Sequence, residues 1–287
     1  MDVEGERVLV TGGAGFIGSH LVDALVGANE VSVLDDFSSG ERSRLPDDVR
    51  VFEGDVRDAG LVERAAADVD LIYHEAAMVD VTASVEQPGE CEAVNVQGTL
   101  NVLEAARAVD ARVVFPSSAA VYGQPESVPI DEEHPTDPTN PYGVSKLAGD
   151  LYCRLFHELY GLETVVLRYF NVYGPRQSGG HYSGVIDVFS SQARSGEPLT
   201  VHGDGAQTRD FVHVDDVVRA NLAAGGAGAG EAFNVGTGES VSVLELAELV
   251  REVTGSDSEI VHVEGRAGDV ERSRADVGKA SRGLGWE

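Results

Sequence analysis

Lysine is nearly absent from this chain. Of its 21 basic residues only Lys146 and Lys279 are lysine, against 49 acidic residues and a formal net charge of −28 over 287 residues. A charge of that sign excludes nonspecific nucleic-acid binding and anchoring to anionic lipid, both of which need clustered cations. Such a composition has two readings. One is halophilic adaptation, in which dense carboxylates keep the surface hydrated while salt screens their repulsion; the other is an acidic protein of ordinary surroundings. The avoidance of lysine favours the first. Cysteine is scarce too: Cys91 and Cys153 stand alone, too few for a disulfide framework and in keeping with a reducing cytoplasm, the expected location. The eight histidines form no H-x-x-x-H pair and no C-x-x-C occurs, so no metal site is expected. No run of eighteen apolar residues exists, which excludes a membrane-spanning helix. Met1-Asp-Val-Glu-Gly-Glu6 has neither a basic region nor an apolar stretch, and no signal peptide is expected.

What the chain does have begins at Thr11-Gly-Gly-Ala-Gly-Phe-Ile-Gly-Ser-His20. Arg7–Thr11 ahead of it is a short β-branched run that reads as a buried strand. Leu21, Val22, Leu25 and Val26 behind it recur at helical spacing. Strand, glycine turn and helix form the context of a dinucleotide fingerprint, in which glycines let the backbone approach a pyrophosphate seated on the helix N-terminus. Two registers fit, Gly13, Gly15, Gly18 and Gly12, Gly15, Gly18. A second strand, Glu30-Val-Ser-Val-Leu-Asp-Asp36, ends in carboxylates, and Asp35 follows Gly15 by twenty residues. That is the spacing at which an acid meets ribose hydroxyls and repels a 2′-phosphate, favouring NAD over NADP.

Further strands are expected at Val49–Glu53, Asp70–Ala77, Arg112–Ser118 and Glu163–Tyr169, with helices at Leu61–Ala67, Cys91–Val109 and Tyr142–Tyr160. This alternation predicts an α/β fold, a Rossmann-like doubly wound parallel sheet. From about Gly174 the rhythm breaks into polar loops around helices near Val185–Arg194 and Val243–Val253. Residues 1–173, completed by about 206–236, are expected to form the NAD-binding Rossmann domain. Residues 174–205 and 237–287 are expected to form a smaller C-terminal substrate-binding region. Tyr142-Gly-Val-Ser-Lys146 sets a phenol and an ammonium one helical turn apart. A cation there favours the phenolate, which could take a proton from an alcohol as hydride leaves the same carbon. Taken alone, the pair is equally a packed tyrosine beside a solvated lysine. Yet where lysine is so rare, a retained one is expected to do work no arginine can. Ser118 ends the fifth strand, on the ligand side of such a sheet, where it could hydrogen-bond the reacting oxygen.

These motifs, with Asn95-Val-Gln-Gly-Thr99, Val121-Tyr-Gly123, Leu167-Arg-Tyr-Phe-Asn171 and Gly203–His213, resemble in order those of the extended short-chain dehydrogenase/reductase family. The closest likeness is to nucleotide-sugar epimerases of the UDP-glucose 4-epimerase type. The resemblance implies a tightly held NAD and a catalytic set of Ser118, Tyr142 and Lys146. Tyr142 would deprotonate the C4 hydroxyl of a UDP-sugar as C4 gives up hydride, and the 4-keto sugar would turn and take hydride back on its other face. Lys146 would also hold the nicotinamide ribose. The implied cofactor contacts are Gly12, Gly15, Phe16, Ile17, Gly18, Asp35, Asp36, Ser39, Gly40, Asp55, Val56, Ala76, Ala77, Asn95, Tyr142, Lys146 and Tyr169. Asn171, Arg209 and Arg266 would join Ser118 and Tyr142 on the substrate, with Arg176 a further candidate. Arginine suits a diphosphate because its planar fork grips phosphate oxygens bidentately.

The related 4,6-dehydratases carry an acid just before the Val-Tyr-Gly motif, where this chain has Ala119-Ala120 and no carboxylate before Glu126. Dehydration needs a proton donor for the departing hydroxyl, so epimerisation is expected. A dehydratase or reductase of nucleotide sugars is the alternative within the enzymes, and a non-catalytic NAD-binding sensor the alternative outside them. UDP and dTDP, and hexose, N-acetylated or uronic sugars, stay open. The family pairs two helices in a dimer. Here residues 91–109 and 141–160 would serve a homodimer, since Leu147, Leu151, Leu155, Phe156 and Leu159 exceed one apolar face.

Overall fold

The computed structural model describes residues 3–177, 184–265 and 269–286. Its first part alternates strand and helix: β1 (Arg7–Thr11), α1 (Phe16–Leu25), β2 (Glu30–Asp35), β3 (Arg50–Glu53), α2 (Ala59–Ala66), β4 (Leu71–His74), the short α3 (Val81–Glu86) and α4 (Pro88–Glu92), α5 (Gly98–Val109), β5 (Arg112–Ser118), α6 (Pro141–Tyr160) and β6 (Thr164–Tyr169). Then come β7 (Asn171–Tyr173), α7 (Val185–Ser195), β8 (Leu199–His202), β9 (Thr208–Arg209), β10 (Phe211–His213), α8 (Val214–Ala224) and β11 (Ala232–Val235). The chain closes with β12 (Val241–Ser242), α9 (Val243–Thr254), β13 (Ile260–Val263) and α10 (Gly278–Leu284).

Seven strands pair in parallel in the order β11-β6-β5-β4-β1-β2-β3. This is the doubly wound, Rossmann-like sheet that the alternation predicts. Side-chain alternation divides the core between its faces. Val8, Val10, Tyr73, Val114 and Leu167 meet α1 and α8, while Leu9, Ile72, Val113, Phe115 and Val166 meet α2, α5 and α6. A separate apolar cluster joins Phe189 of α7, Leu199 and Val201 of β8, and Leu246, Ala247 and Val250 of α9. There β8 pairs with β13 and β9 with β12, whereas β10, α8 and β11 return towards the main sheet.

Local chemistry sets the ends of the helices. The Asn140 side chain caps α6 at Gly143 N with Pro141 in its first turn, and Gly161 closes it in the left-handed region. Ser242 and Glu245 form a capping box on α9. Two expectations need correction. The helix expected over Cys91–Val109 is α4, a wide π turn over Ala93–Gln97, and α5. The extra residue in that turn lets Asn95 reach the backbone of Met78. The strand expected to reach Ala77 stops at His74, because β1 offers no partner once Thr11 gives way to Gly12.

Candidate active site

Strand order reverses between β1 and β4, the switch point at whose carboxyl edge α/β sheets bind ligands. The glycine turn follows β1 there. Gly12 has φ of +67°, and a Cβ on it would lie 2.6 Å from Ala76 N, in the segment after β4. A Cβ on Gly18 would lie 2.2 Å from Gly12 O. At Gly13 its nearest neighbours would be the methyls of buried Val33, at 2.7 and 2.9 Å, with backbone no nearer than Val10 O at 3.3 Å, so Gly12 and Gly18 are the positions where backbone itself forbids a side chain. Gly15 is the N-cap of α1 and offers no capping side chain, which leaves the first-turn N–H groups of Phe16 and Ile17 aimed at the crevice edge.

Asp35, at the end of β2, is buried and ties this turn together: its carboxylate accepts from Ala14 N at 2.9 Å and Phe37 N at 2.8 Å. Burial holds the carboxyl above its usual range, the two backbone bonds oppose that, and neighbouring Asp36 adds to it. Asp36 itself accepts from Ser38, folding the turn that carries exposed Ser39. Gly40 packs against Ala14. Beyond β2, after the end of β3, Asp55 is held by Arg57 and Val56 is buried against Gly98.

Beneath the switch point runs a buried chain of hydrogen bonds. His74 Nδ1 lies 2.7 Å from Thr11 Oγ1 and Nε2 lies 3.0 Å from Thr99 Oγ1. Thr99 donates to Asn95 O, and Ala76 N donates to Thr11 Oγ1. Thr99 spends its proton on Asn95, so His74 donates from Nε2 and accepts at Nδ1. Desolvation pushes its pKa down to about 3, with Lys146 acting in the same sense, so the ring is neutral. The Asn95 side chain bonds Met78 N and O and Ser145 Oγ. It fixes the segment that carries Ala76 and Ala77.

Ser118 ends β5, and its Oγ accepts from Ala120 N at 3.1 Å. Half-buried Tyr142 lies beside it, in the first turn of α6. Burial raises the phenol pKa, the hydrogen bond with Ser118 opposes this, and the charges of Cys91 and Glu75 reinforce it. The expected cation effect is not among these influences. Lys146 is only 4 % exposed, and its ammonium donates instead to Pro116 O at 2.8 Å and lies over the Phe115 ring. One turn further, Asp150 anchors α6 to the sheet through Arg168 Nε at 2.8 Å. Arg168 also donates to Tyr122 Oη and Glu132 O.

The expected substrate groups are spread more widely. Asn171 donates to Asp210 O. Arg209 is half-buried and paired with Asp269, and it donates to Val270 O at 2.6 Å. Arg176 reaches Asp23 of α1, beside the His20–Pro175 bond. Arg266 lies outside the described residues. Tyr169 is buried, donating to Glu75 and accepting from Asn221. Sequence reasoning missed Glu75, whose neighbours come from separate strands, and Asp269, sixty residues from the arginine it holds. Among the described residues no group of three potential metal ligands occurs.

A parallel sheet with a glycine turn at its switch point, an acid at the second strand end and a tyrosine and lysine at the fifth defines a Rossmann-type protein built for a dinucleotide. The chain belongs to the NAD dependent epimerase/dehydratase family, whose model matches residues 8–236. It is 41% identical over 291 residues to the UDP-glucose 4-epimerase of Mycolicibacterium smegmatis, covering 98% of this chain and 93% of that one. A UDP-glucose 4-epimerase of Thermotoga maritima, solved with UDP-glucose, superposes with a TM-score of 0.95 at 40% identity, covering 98% and 93% of the two chains. The dTDP-glucose 4,6-dehydratase DesIV of Streptomyces venezuelae, solved with NAD, gives a TM-score of 0.91 at 38% identity over 98% and 91%. NAD is the cofactor of the family, and this cradle fits it: two glycines admit no side chain against the backbone, and a buried carboxylate stands at the second strand end.

Proposed function

We propose that the chain is a UDP-sugar 4-epimerase interconverting UDP-glucose and UDP-galactose. One observation carries this reading. Ser118, Tyr142 and Lys146 converge at one end of the sheet, while the turn Ala119–Tyr122 between them holds no carboxylate to expel a hydroxyl. Likeness to a dehydratase favours the second reading, 4,6-dehydration, but elimination needs a proton donor that this turn lacks.

NAD, when bound, supplies the acceptor and later the donor of hydride at C4. Gly12, Gly15, Phe16, Ile17 and Gly18 would take its pyrophosphate, Asp35 and the 36–40 turn its adenosine ribose, and Asp55 with Val56 its adenine. Ala76, Ala77, Asn95 and Tyr169 would border the rest. Ser118 orients the C4 hydroxyl, and Tyr142 takes its proton and returns it to the 4-keto oxygen. Lys146 has few partners of its own and is left to engage the nicotinamide ribose. Asn171, Arg209 and Arg266 would hold the diphosphate, with Asp269 setting the Arg209 fork, and Arg176 stands further off. We assign residues 1–173 with about 206–236 to NAD and the rest to substrate.

We further propose a homodimer in a cytoplasm of high salt. Leu151, Leu155 and Leu159 line one exposed face of α6, at 51%, 42% and 60% exposure, whereas Leu147 and Phe156 pack inside the protomer. A panel of UDP- and dTDP-sugars assayed in molar salt tests the function. Interconversion of a 4-epimeric pair, abolished in Y142F, is the expected result; a 4-keto-6-deoxy product would establish the dehydratase.

A further inference from the structure

Glu75 has no part in the reaction as derived, yet it stands where few carboxylates do. It follows β4 at the carboxyl edge of the sheet, one residue past the last strand pairing, with its N–H on Thr11 O at 3.0 Å. Tyr73 pairs with Val114, so Glu75 is level with Pro116, the residue whose carbonyl receives the Lys146 ammonium. Lys146 arrives from α6 on one face of the sheet. The Glu75 carboxylate belongs to the other, where Tyr169 Oη donates to its Oε1 at 3.1 Å and Asn221 donates to Tyr169 at 2.6 Å. Asn221 is fully buried, so this clamp does not move freely. It keeps the carboxylate from swinging into a direct pair: among the described residues Lys146 has no ion-pair partner within 4.0 Å.

We propose that Glu75 is the counter-charge of Lys146, a carboxylate clamped by Tyr169 at a fixed stand-off so that Lys146 stays an ammonium at working pH while its donors stay free for a ligand. The physical need is clear. A buried ammonium with one carbonyl partner loses more hydration than that bond returns, and it sheds its proton unless a negative charge stands near. Burial indeed pushes the Lys146 pKa down, and the charge of Glu75 is the first influence raising it. Burial likewise raises the carboxyl of Glu75, against Lys146 and the Tyr169 bond. The other ionisable groups acting in this space are Tyr142 and Cys153 of α6, Cys91 of α4, Tyr169 of β6 and Tyr73 and His74 of β4; the two thiols also favour the ammonium but come after Glu75, His74 is the neutral ring described above, and α8 presents only uncharged Asn221. Glu75 is therefore a positioning residue that acts through Lys146.

The proposal rests on Lys146 being the cation of the active site, but its test does not require turnover. The chain has only two lysines, so protein labelled with 13C at lysine Cε gives two titrating signals, assigned with K279R. Titrated as the full chain loaded with NAD, E75Q should lower the Lys146 midpoint by about one pH unit, tenfold in the protonation equilibrium. Lys279, paired with Glu231 at the surface, should not move. E75D, which keeps the charge, should hold the midpoint near wild type, whereas Y169F, which frees the carboxylate to close on the ammonium, should raise it. The E75Q difference should survive molar KCl, which screens the acidic surface far more than a buried pair. E75L replaces E75Q should the amide fail to fold. An unchanged Lys146 midpoint in folded E75Q or E75L, or a fall in E75D as large as in E75Q, overturns the proposal. Loss of epimerisation with the midpoints as described would instead count against the function alone.

Discussion

Replacing Gly12 by alanine separates the two registers open in the glycine turn. The backbone there has φ of +67°, where an L-residue pays about 1–2 kcal/mol. The new methyl would lie 2.6, 2.7 and 2.8 Å from Ala76 N, Glu75 C and Ala76 Cα, all of them backbone. Relieving those contacts means parting β1 from the segment after β4 at the switch point, an overpacking strain of about 1–3 kcal/mol. G12A should therefore lose about 2–5 kcal/mol in urea unfolding. It should also lose retained NAD, because the same movement opens the cradle. G13A presses on the Val33 methyls, with its nearest backbone atom, Val10 O, at 3.3 Å and no positive φ to strain it, and should lose less. G27A meets nothing within 4 Å and should match wild type or gain slightly. The unfolding curves, read beside NAD stoichiometry in purified protein, decide it. A G12A protein as stable and as NAD-rich as G27A would refute the reasoning.

Three more predictions concern other parts of the molecule. Arg168 and Asp150 form an ion pair with side chains 4% and 0% exposed, so R168M should cost about 3–5 kcal/mol by denaturant unfolding. R7M breaks only the exposed pair with Asp70 and should shift the unfolding curve far less than R168M. Burial lifts the Asp35 carboxyl, so wild type surrenders stability as pH rises through its titration. D35N escapes that loss, so its stability should fall less than wild type's between pH 3 and pH 7, although its amide can accept from only one of the Ala14 and Phe37 N–H groups; it should bind NAD more weakly and reject NADP less, by calorimetry. A glutamate at the exposed face of α6, L155E, should yield monomers by light scattering in molar salt; an unchanged mass would remove that face as the interface.

The elements with local causes were legible in the sequence. β1 and β5 stand where their β-branched runs lie, and α6 starts at Pro141 and stops at Gly161 as its capping chemistry requires. The turn after β1 was readable because glycine answers a need of the backbone itself. Contacts between distant segments were not legible. Nothing near Asn95 announces the wide turn that carries it to Met78, and nothing near Arg209 announces Asp269. Lys146 is the instructive case. Spacing placed it one turn from Tyr142, but the position of Pro116 O, set by β5, decided where its ammonium points.

The most direct test of the proposed chemistry uses UDP-galactose deuterated at C4, with no NAD added, in molar salt. An epimerase with internal return of hydride gives UDP-glucose that keeps its deuterium at C4, and Y142F slows this by orders of magnitude. Loss of the label to solvent, a requirement for added NAD in each turnover, or a 4-keto-6-deoxy product would contradict the account.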